Sequence, residues 1–279
     1  MKIAVNARWL LPGKLEGTGV YTLRMLEQII PAFPQHEFHL LLDRQVDTGQ
    51  LGLDFPNLSY HVVSPPARHP WLWAMWNNWA VPQMLKRLKV ELYWSPDGLP
   101  AKTNIRQWLT IHDLNFEHHP QWVPAPVAKY YSKNIKRGAE VADKVFTVSH
   151  WSKDDLRTTY GLPEDKISVT YNAPQRKFSP GTSSNEGAYF CAVGALTPRK
   201  NLKTLLLAFD KWCSKNSEDS INLRVAGEPH FNDPELKDVV SDLQHPDRVE
   251  WMGRLNDGEL EELYRGAIAY CMPSAMEGF

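Results

Sequence analysis

A few short stretches of this sequence hold residue types that could do chemistry, and most stand where an apolar run ends. Gly17-Thr18-Gly19-Val20-Tyr21 opens a run of helical periodicity. Glycines there would let backbone N–H groups close on an anion at the helix N-terminus. The dinucleotide fingerprint G-x-G-x-x-G is incomplete, since residue 22 is Thr, so a flexible helix start is the competing reading. His112-Asp113 follows the apolar stretch 108–111, where a histidine could donate to a hydroxyl or a phosphate near neutral pH. A lone histidine is more often structural, and His118, His119 and His150 are read as surface or packing residues. Pro198-Arg199-Lys200-Asn201 joins an apolar run to a helical one. Two adjacent cations at such a turn suit a diphosphate, with charge-assisted bonds worth about 1.5–3 kcal/mol each; the alternative is a solvated basic turn. Arg254-Leu255, after Gly253, repeats the pattern more weakly. In Pro273-Ser274-Ala275-Met276-Glu277-Gly278-Phe279 a carboxylate could accept bonds from substrate hydroxyls while the next backbone N–H donates.

Elements must bring these stretches together. Short β-rich runs at 2–7, 37–42, 58–63, 91–94, 108–111, 144–148 and 167–171 alternate with helical runs at 20–30 and 125–142. Further on, runs at 188–193, 222–226, 249–252 and 267–272 alternate with helices at 202–215 and 258–267. This alternation predicts parallel sheets covered by helices, an α/β fold of two doubly wound Rossmann-like domains. The polar, Pro/Gly/Ser-rich stretch 174–187 reads as interdomain sequence. The expected division is 1–178, a linker at 179–187, and 188–279. In open α/β sheets ligands bind beyond the carboxyl ends of the strands, where the stretches above fall.

Composition excludes several classes. With 279 residues, 43% hydrophobic and 23% charged, the chain can bury a core without metal or disulfide. Its net charge of −1 is not that of a nucleic-acid binder, yet residues 1–183 hold 21 basic against 16 acidic groups and the remainder 10 against 16. The three cysteines (Cys191, Cys213, Cys271) are widely spaced in apolar stretches and read as reduced core residues of a cytoplasmic protein. There is no D-x-D and no clustered His/Cys, hence no expected metal site, and no apolar run reaches the ~18–20 residues of a membrane span. The start of the chain turns polar too soon for a signal peptide. Nine of eleven tryptophans precede residue 152, four of them (Trp71, Trp73, Trp76, Trp79) in a segment with Arg68, Lys86, Arg87 and Lys89. Such a segment is more often packed core or an acceptor-pocket wall; its other reading is peripheral contact with an anionic membrane face.

Taken together, GTGVY, TIHDL, VFTVSHWSKDDL, ISVTYNAP, VGALTPRKNLKTLLLAF, VEWMGRLNDGELEELYRGA and PSAMEGF resemble glycosyltransferase family 4, retaining nucleotide-sugar enzymes of GT-B fold. The resemblance implies a first domain that binds the acceptor, a second that binds the sugar nucleotide, and catalysis in the cleft between them. It implies that Arg199 and Lys200 neutralise the donor diphosphate, with Gly17 and Gly19 near the phosphates. Glu277, Gly278 and Phe279 would hold the sugar, Arg254 and Leu255 would lie near the base, and His112 would stand beside the transferred hexose. No cofactor and no metal are implied, because protein cations take the metal's place at the leaving diphosphate. The implied reaction moves a hexose, mannose or glucose, to a saccharide or lipid-linked acceptor in cell-surface polysaccharide synthesis. Two departures stand out. YNAP replaces the Asn-Gly turn of many relatives, and the family's second acid would fall beyond Phe279, so the second domain is expected to be incomplete. A GT-B sugar-nucleotide epimerase and a non-catalytic sugar-nucleotide-binding fragment are the alternatives, and the incomplete fingerprint disfavours a nicotinamide dehydrogenase.

Overall fold

The alternation of β-rich and helical runs resolves into two parallel sheets. A computed structural model of the chain describes residues 1–67, 69–173, 179–181, 188–228 and 234–279. Arg68 and most of the expected linker, 182–187, lie outside the described residues. Contacts divide the chain into one unit of Met1–Asn172 with Gly278–Phe279, and a second of Ala173–Glu277.

In the first unit seven strands run parallel: β1 (Lys2–Asn6), β2 (Glu37–Leu42), β3 (Leu58–Val62), β4 (Leu92–Ser95), β5 (Arg106–Thr110), β6 (Lys144–Thr147) and β7 (Ile167–Val169). Their order is β3-β2-β1-β4-β5-β6-β7, with the direction of winding reversing between β1 and β4. That reversal is the topological switch point at which open α/β sheets bind ligands. Strand β1 pairs with β2 from Lys2↔Glu37 to Asn6↔Leu41, and Val5 and Leu40 are fully buried. Burial on both faces is why the central strands read as unbroken apolar runs. Helix α1 (Gly17–Ala32) turns Tyr21, Leu23, Leu26 and Ile30 into that core, a stripe at helical spacing. Its start differs from expectation: Gly17, Thr18 and Gly19 form its first turn and do not precede it.

The segment before β4 folds as α2 (Pro70–Met75), a π-helical turn over Trp76–Ala80, and α3 (Val81–Leu88), none of it evident in the sequence. Beyond β5 come the short α4 (Asn115–His118), α5 (Ala125–Val141) and α6 (His150–Tyr160). Helix α6 is capped by the Ser149 hydroxyl, which accepts from the Ser152 N–H at 3.1 Å.

In the second unit β8 (Tyr189–Val193), β9 (Asn222–Ala226), β10 (Val249–Gly253) and β11 (Ala269–Tyr270) form a parallel sheet in the order β10-β9-β8-β11. Strand β11 is shorter than the run at 267–272 predicts. Helices α7 (Leu202–Lys215), α8 (Pro234–Asp242) and α9 (Asp257–Gly266) alternate with these strands. Leu206, Phe209 and Cys213 of α7 pack with Leu223 and Val225 of β9.

Candidate functional site

Each unit gathers part of the expected site by itself. In the second, β8 leads through Gly194 to a single 3-10 turn, Pro198–Lys200, and Asn201 then takes a left-handed conformation (φ 54°) to start α7. The turn is clamped to the segment after β11. The Ala275 N–H donates to the Arg199 carbonyl at 2.9 Å, and Asn201 Nδ2 donates to the Pro273 carbonyl at 3.0 Å. Arg199 Nη1 donates to the Met276 carbonyl at 3.1 Å and also to Glu277 Oε2, while Lys200 Nζ donates to Glu277 Oε1 at 2.6 Å. The three side chains are each about one quarter exposed, at 24%, 26% and 24% for Arg199, Lys200 and Glu277. Burial pushes the Glu277 carboxyl up, but the hydrogen bond from Lys200 and the charges of Arg199 and Lys200 outweigh it and hold the group below the ordinary carboxylate value. Two cations thus converge on one anion between a strand end and a helix start, an arrangement able to hold a dianionic group in place of the carboxylate.

Arg254 and Leu255 follow β10 after Gly253 in a left-handed turn (φ 62°). Arg254 is exposed, whereas Leu255 packs beside Tyr189, Cys191 and Leu263. The next residue closes a capping box that sequence reasoning missed. Asn256 Oδ1 accepts from the Gly258 and Glu259 N–H groups at 3.0 and 3.1 Å, and Glu259 Oε2 accepts from the Asn256 N–H at 2.7 Å.

In the first unit the strand ends at the switch point hold the rest. A Cβ on Gly19 would stand 2.5 Å from the Trp9 carbonyl oxygen, so only glycine lets α1 approach the loop after β1 this closely. Gly17 is exposed with open space around it. His112 follows β5, with Nε2 2.8 Å from the Pro96 carbonyl. A carbonyl can only accept, so Nε2 carries the proton and Nδ1 is left as the acceptor. The Tyr21 ring meets the imidazole edge-on at 5.0 Å. Burial drives the His112 pKa down, more than the Pro96 carbonyl and the nearby Asp113 and Asp97 carboxylates restore, so the ring is neutral near pH 7. The Gly278 carbonyl accepts from Ser149 Oγ at 2.5 Å and Ser152 Oγ at 2.6 Å, and the Ser152 hydroxyl also lies 3.1 Å from the His112 carbonyl. Phe279 is 61% exposed and stands edge-on to Tyr171 at 6.2 Å.

Between these pieces lies a constellation absent from the sequence reading. Asp97, in the loop after β4, accepts from Arg8 Nε at 2.6 Å, Trp9 Nε1 at 3.2 Å, Asn6 Nδ2 at 3.0 Å, Ser95 Oγ at 2.7 Å and the Leu99 N–H at 3.2 Å. Burial raises its pKa, but Arg8 and these donors more than reverse that. The pair is buried, the Arg8 and Asp97 side chains being 2% and 6% exposed, and Arg8 also faces the Trp9 and Trp73 rings at 5.0 and 5.3 Å. Through Trp9 it abuts Gly19, and through Pro96 it reaches His112.

A sequence profile for Glycosyltransferase Family 4 matches residues 16–173, and one for Glycosyl transferases group 1 matches 175–279. The chain belongs to glycosyltransferase family 4. It is 28% identical over 233 residues to the O-antigen chain mannosyltransferase RfbU of Salmonella typhimurium, a match covering 83% of this chain and 63% of that one. It is 24% identical over 207 residues to O-antigen chain mannosyltransferase B of Escherichia coli, covering 70% of this chain and 54% of that one. The chain thus spans less than two thirds of the length of these relatives. Sucrose-phosphate synthase of Thermosynechococcus elongatus superposes with a TM-score of 0.72 at 16% identity, over 100% of this chain and 77% of the other. That likeness carries the GT-B fold class of this family-4 chain, two Rossmann-like α/β units.

Proposed function

We propose that this chain supplies the sugar-transfer machinery of a retaining hexosyltransferase in cell-surface polysaccharide synthesis, with a mannose nucleotide as the first donor to test. The observation that carries the reading is the convergence of Arg199 and Lys200 on Glu277. A donor diphosphate would replace the carboxylate on the two cations and free Glu277 to accept bonds from sugar hydroxyls. As the glycosidic bond to the diphosphate lengthens, charge grows on the leaving oxygens. The fixed cations stabilise it where a metal would otherwise act, so turnover would not depend on a divalent ion. Gly278 and Phe279 would present backbone N–H groups to the sugar, Gly17 and Gly19 would lie near the phosphates, and Arg254 and Leu255 near the base. His112, neutral and fixed in one tautomer, would offer Nδ1 as an acceptor to the transferred sugar. Retention would follow from attack on the face the diphosphate leaves, with a phosphate oxygen taking the acceptor's proton.

The acceptor would be a saccharide or lipid-linked saccharide at the cytoplasmic face of a membrane. Trp71 and Trp79, 60% and 64% exposed on the segment with Lys86, Arg87 and Lys89, support a peripheral contact there. Among the described residues no helix is long and apolar enough to cross a membrane.

The test is a titration of the chain with GDP and UDP by calorimetry, beside the Arg199→Ala/Lys200→Ala double variant. Binding should weaken by roughly 2–4 kcal/mol with little change in Tm. Equal nucleotide affinity in the two proteins would overturn the assignment of the cations. Donor alone, incubated and analysed for hydrolysed or epimerised sugar, separates transfer from the epimerase reading.

A further inference from the structure

The carbonyl that accepts the His112 proton belongs to a turn held from both sides. Ser95-Pro96-Asp97-Gly98 leaves β4, with the Gly98 N–H 3.4 Å from the Ser95 carbonyl and Gly98 in a left-handed conformation (φ 76°). A Cβ on Gly98 would stand 3.3 Å from Ile111 Cγ1 and 3.4 Å from the Thr110 carbonyl oxygen, so the turn lies close against the end of β5. On one side of the Pro96 carbonyl, the proline ring fixes φ. On the other, Asp97 is tied through both carboxylate oxygens. Oδ1 accepts from Ser95 Oγ at 2.7 Å, Asn6 Nδ2 at 3.0 Å and the Leu99 N–H at 3.2 Å, the last closing an Asx turn. Oδ2 accepts from Arg8 Nε at 2.6 Å and Trp9 Nε1 at 3.2 Å. The peptide between Pro96 and Asp97 is thereby held against rotation, with its oxygen 2.8 Å from His112 Nε2.

This hold is selective. The Tyr21 ring, itself anchored through its hydroxyl to Thr170 Oγ1 at 2.8 Å, packs edge-on to the imidazole and does not tell one ring nitrogen from the other. Among the described residues only the Pro96 carbonyl does. A buried ion pair such as Arg8–Asp97 is also a poor device for stability alone, since apolar residues of like volume often serve a fold as well.

We infer that Asp97 is a positioning residue for sugar transfer: through the Pro96 carbonyl it holds the His112 proton on Nε2 and keeps Nδ1 as the acceptor for a hydroxyl of the transferred hexose. The hexose contact rests on the sugar-transfer reading; the hold on the ring does not.

The experiment compares the full chain with Asp97→Asn, which keeps the size of the side chain but turns an amide N–H toward groups that can only donate. Leu26→Ala, a cavity in the fully buried core under α1, supplies a reference variant of lowered Tm. If Asp97→Asn does not fold, Arg8→Met/Asp97→Asn takes its place, because it leaves no unpaired charge behind. NMR of the ¹⁵N-labelled imidazole measures exchange of the His112 Nε2–H with solvent, and calorimetry measures affinity for GDP-mannose and for GDP. Exchange should be about tenfold or more faster in the Asp97 variant than in Leu26→Ala. The wild-type preference for GDP-mannose over GDP should fall by about threefold or more in the Asp97 variant, with GDP affinity kept, and persist in Leu26→Ala. Equal exchange in the two variants would overturn the inference, whatever the ligands do. Faster exchange with the GDP-mannose preference intact would overturn the role in sugar transfer. A wild-type chain without that preference would overturn the hexose contact itself, and the exchange data would still show whether Asp97 holds the ring.

Discussion

The two glycines of the first turn of α1 look alike in sequence and differ in what surrounds them. Gly19→Ala drives a Cβ to 2.5 Å from a backbone carbonyl that cannot swing away, and should cost about 1–3 kcal/mol. Gly17→Ala meets open space and should be neutral, or stabilising by up to about 1 kcal/mol. Urea midpoints of the two variants check the pair, and equal midpoints would contradict the close approach. Asp97 is the next residue whose loss should be felt. Asp97→Ala leaves the Arg8 charge buried without its partner and should cost about 3–5 kcal/mol. Protonation acts on both buried groups in one direction. The Asp97 pKa is lowered on folding, so its contribution is present above the unfolded carboxylate value and lost as pH falls through the folded one. His112 is also lowered, but here the neutral ring is the favoured form. Stability is complete above the unfolded histidine value and falls as pH drops below it toward the folded value. An NMR titration of the imidazole should therefore show His112 taking up its proton at lower pH than an exposed histidine, with the proton of the neutral ring on Nε2; a midpoint at or above the ordinary histidine value would contradict the burial argument.

Among elements, the strands were the legible part. All seven runs expected before residue 172 are strands within a few residues; the central ones stand out because a parallel strand covered on both faces is mostly apolar, while the edge strand β3 shows itself by its β-rich residues without a buried position. The α2–π–α3 segment was not legible for the opposite reason. Its tryptophans alternate between core and solvent, Trp73 and Trp76 buried but Trp71 and Trp79 exposed, so no single stripe forms, and Pro70 and Pro82 stand where helices start but read as breakers. Helix α6 escaped because His150–Tyr160 is almost wholly polar and buries only Ser152 and Leu156. The same logic separates the site residues. Arg199, Lys200 and Glu277 announce themselves just after β8 and β11, strands that are neighbours in the sheet. Arg8 and Asp97 lie 89 positions apart and meet only because β4 crosses to pair with β1, an adjacency that no local pattern encodes. One helix start is testable by itself. Asn256→Ala removes the acceptor that serves two N–H groups at the head of α9, and should cost about 1 kcal/mol. Hydrogen exchange of the first-turn amides of α9 should accelerate accordingly, while α1 amides stay unchanged.

At the scale of the whole chain, the core clusters of the described residues each fall within one unit. The three clusters of the first draw on positions from Ile3 to Ile167, and the two of the second on positions from Tyr189 to Ala267. A sheet with its own covering helices and its own buried side chains meets the physical requirement for independent folding. We therefore expect residues 1–173, expressed alone, to fold and to unfold cooperatively. The fragment holds every partner of Asp97 and the Pro96 carbonyl that fixes His112, so the Nε2–H signal of His112 should persist in it. It lacks Arg199, Lys200 and Glu277, so it should not bind nucleoside diphosphate, whatever its stability. Circular dichroism melts, imidazole NMR and GDP titration of the fragment beside the full chain make the comparison. A fragment that melts without a transition would show that the first unit needs the second to fold. A folded fragment that binds GDP as the full chain does would move the diphosphate site away from Arg199 and Lys200.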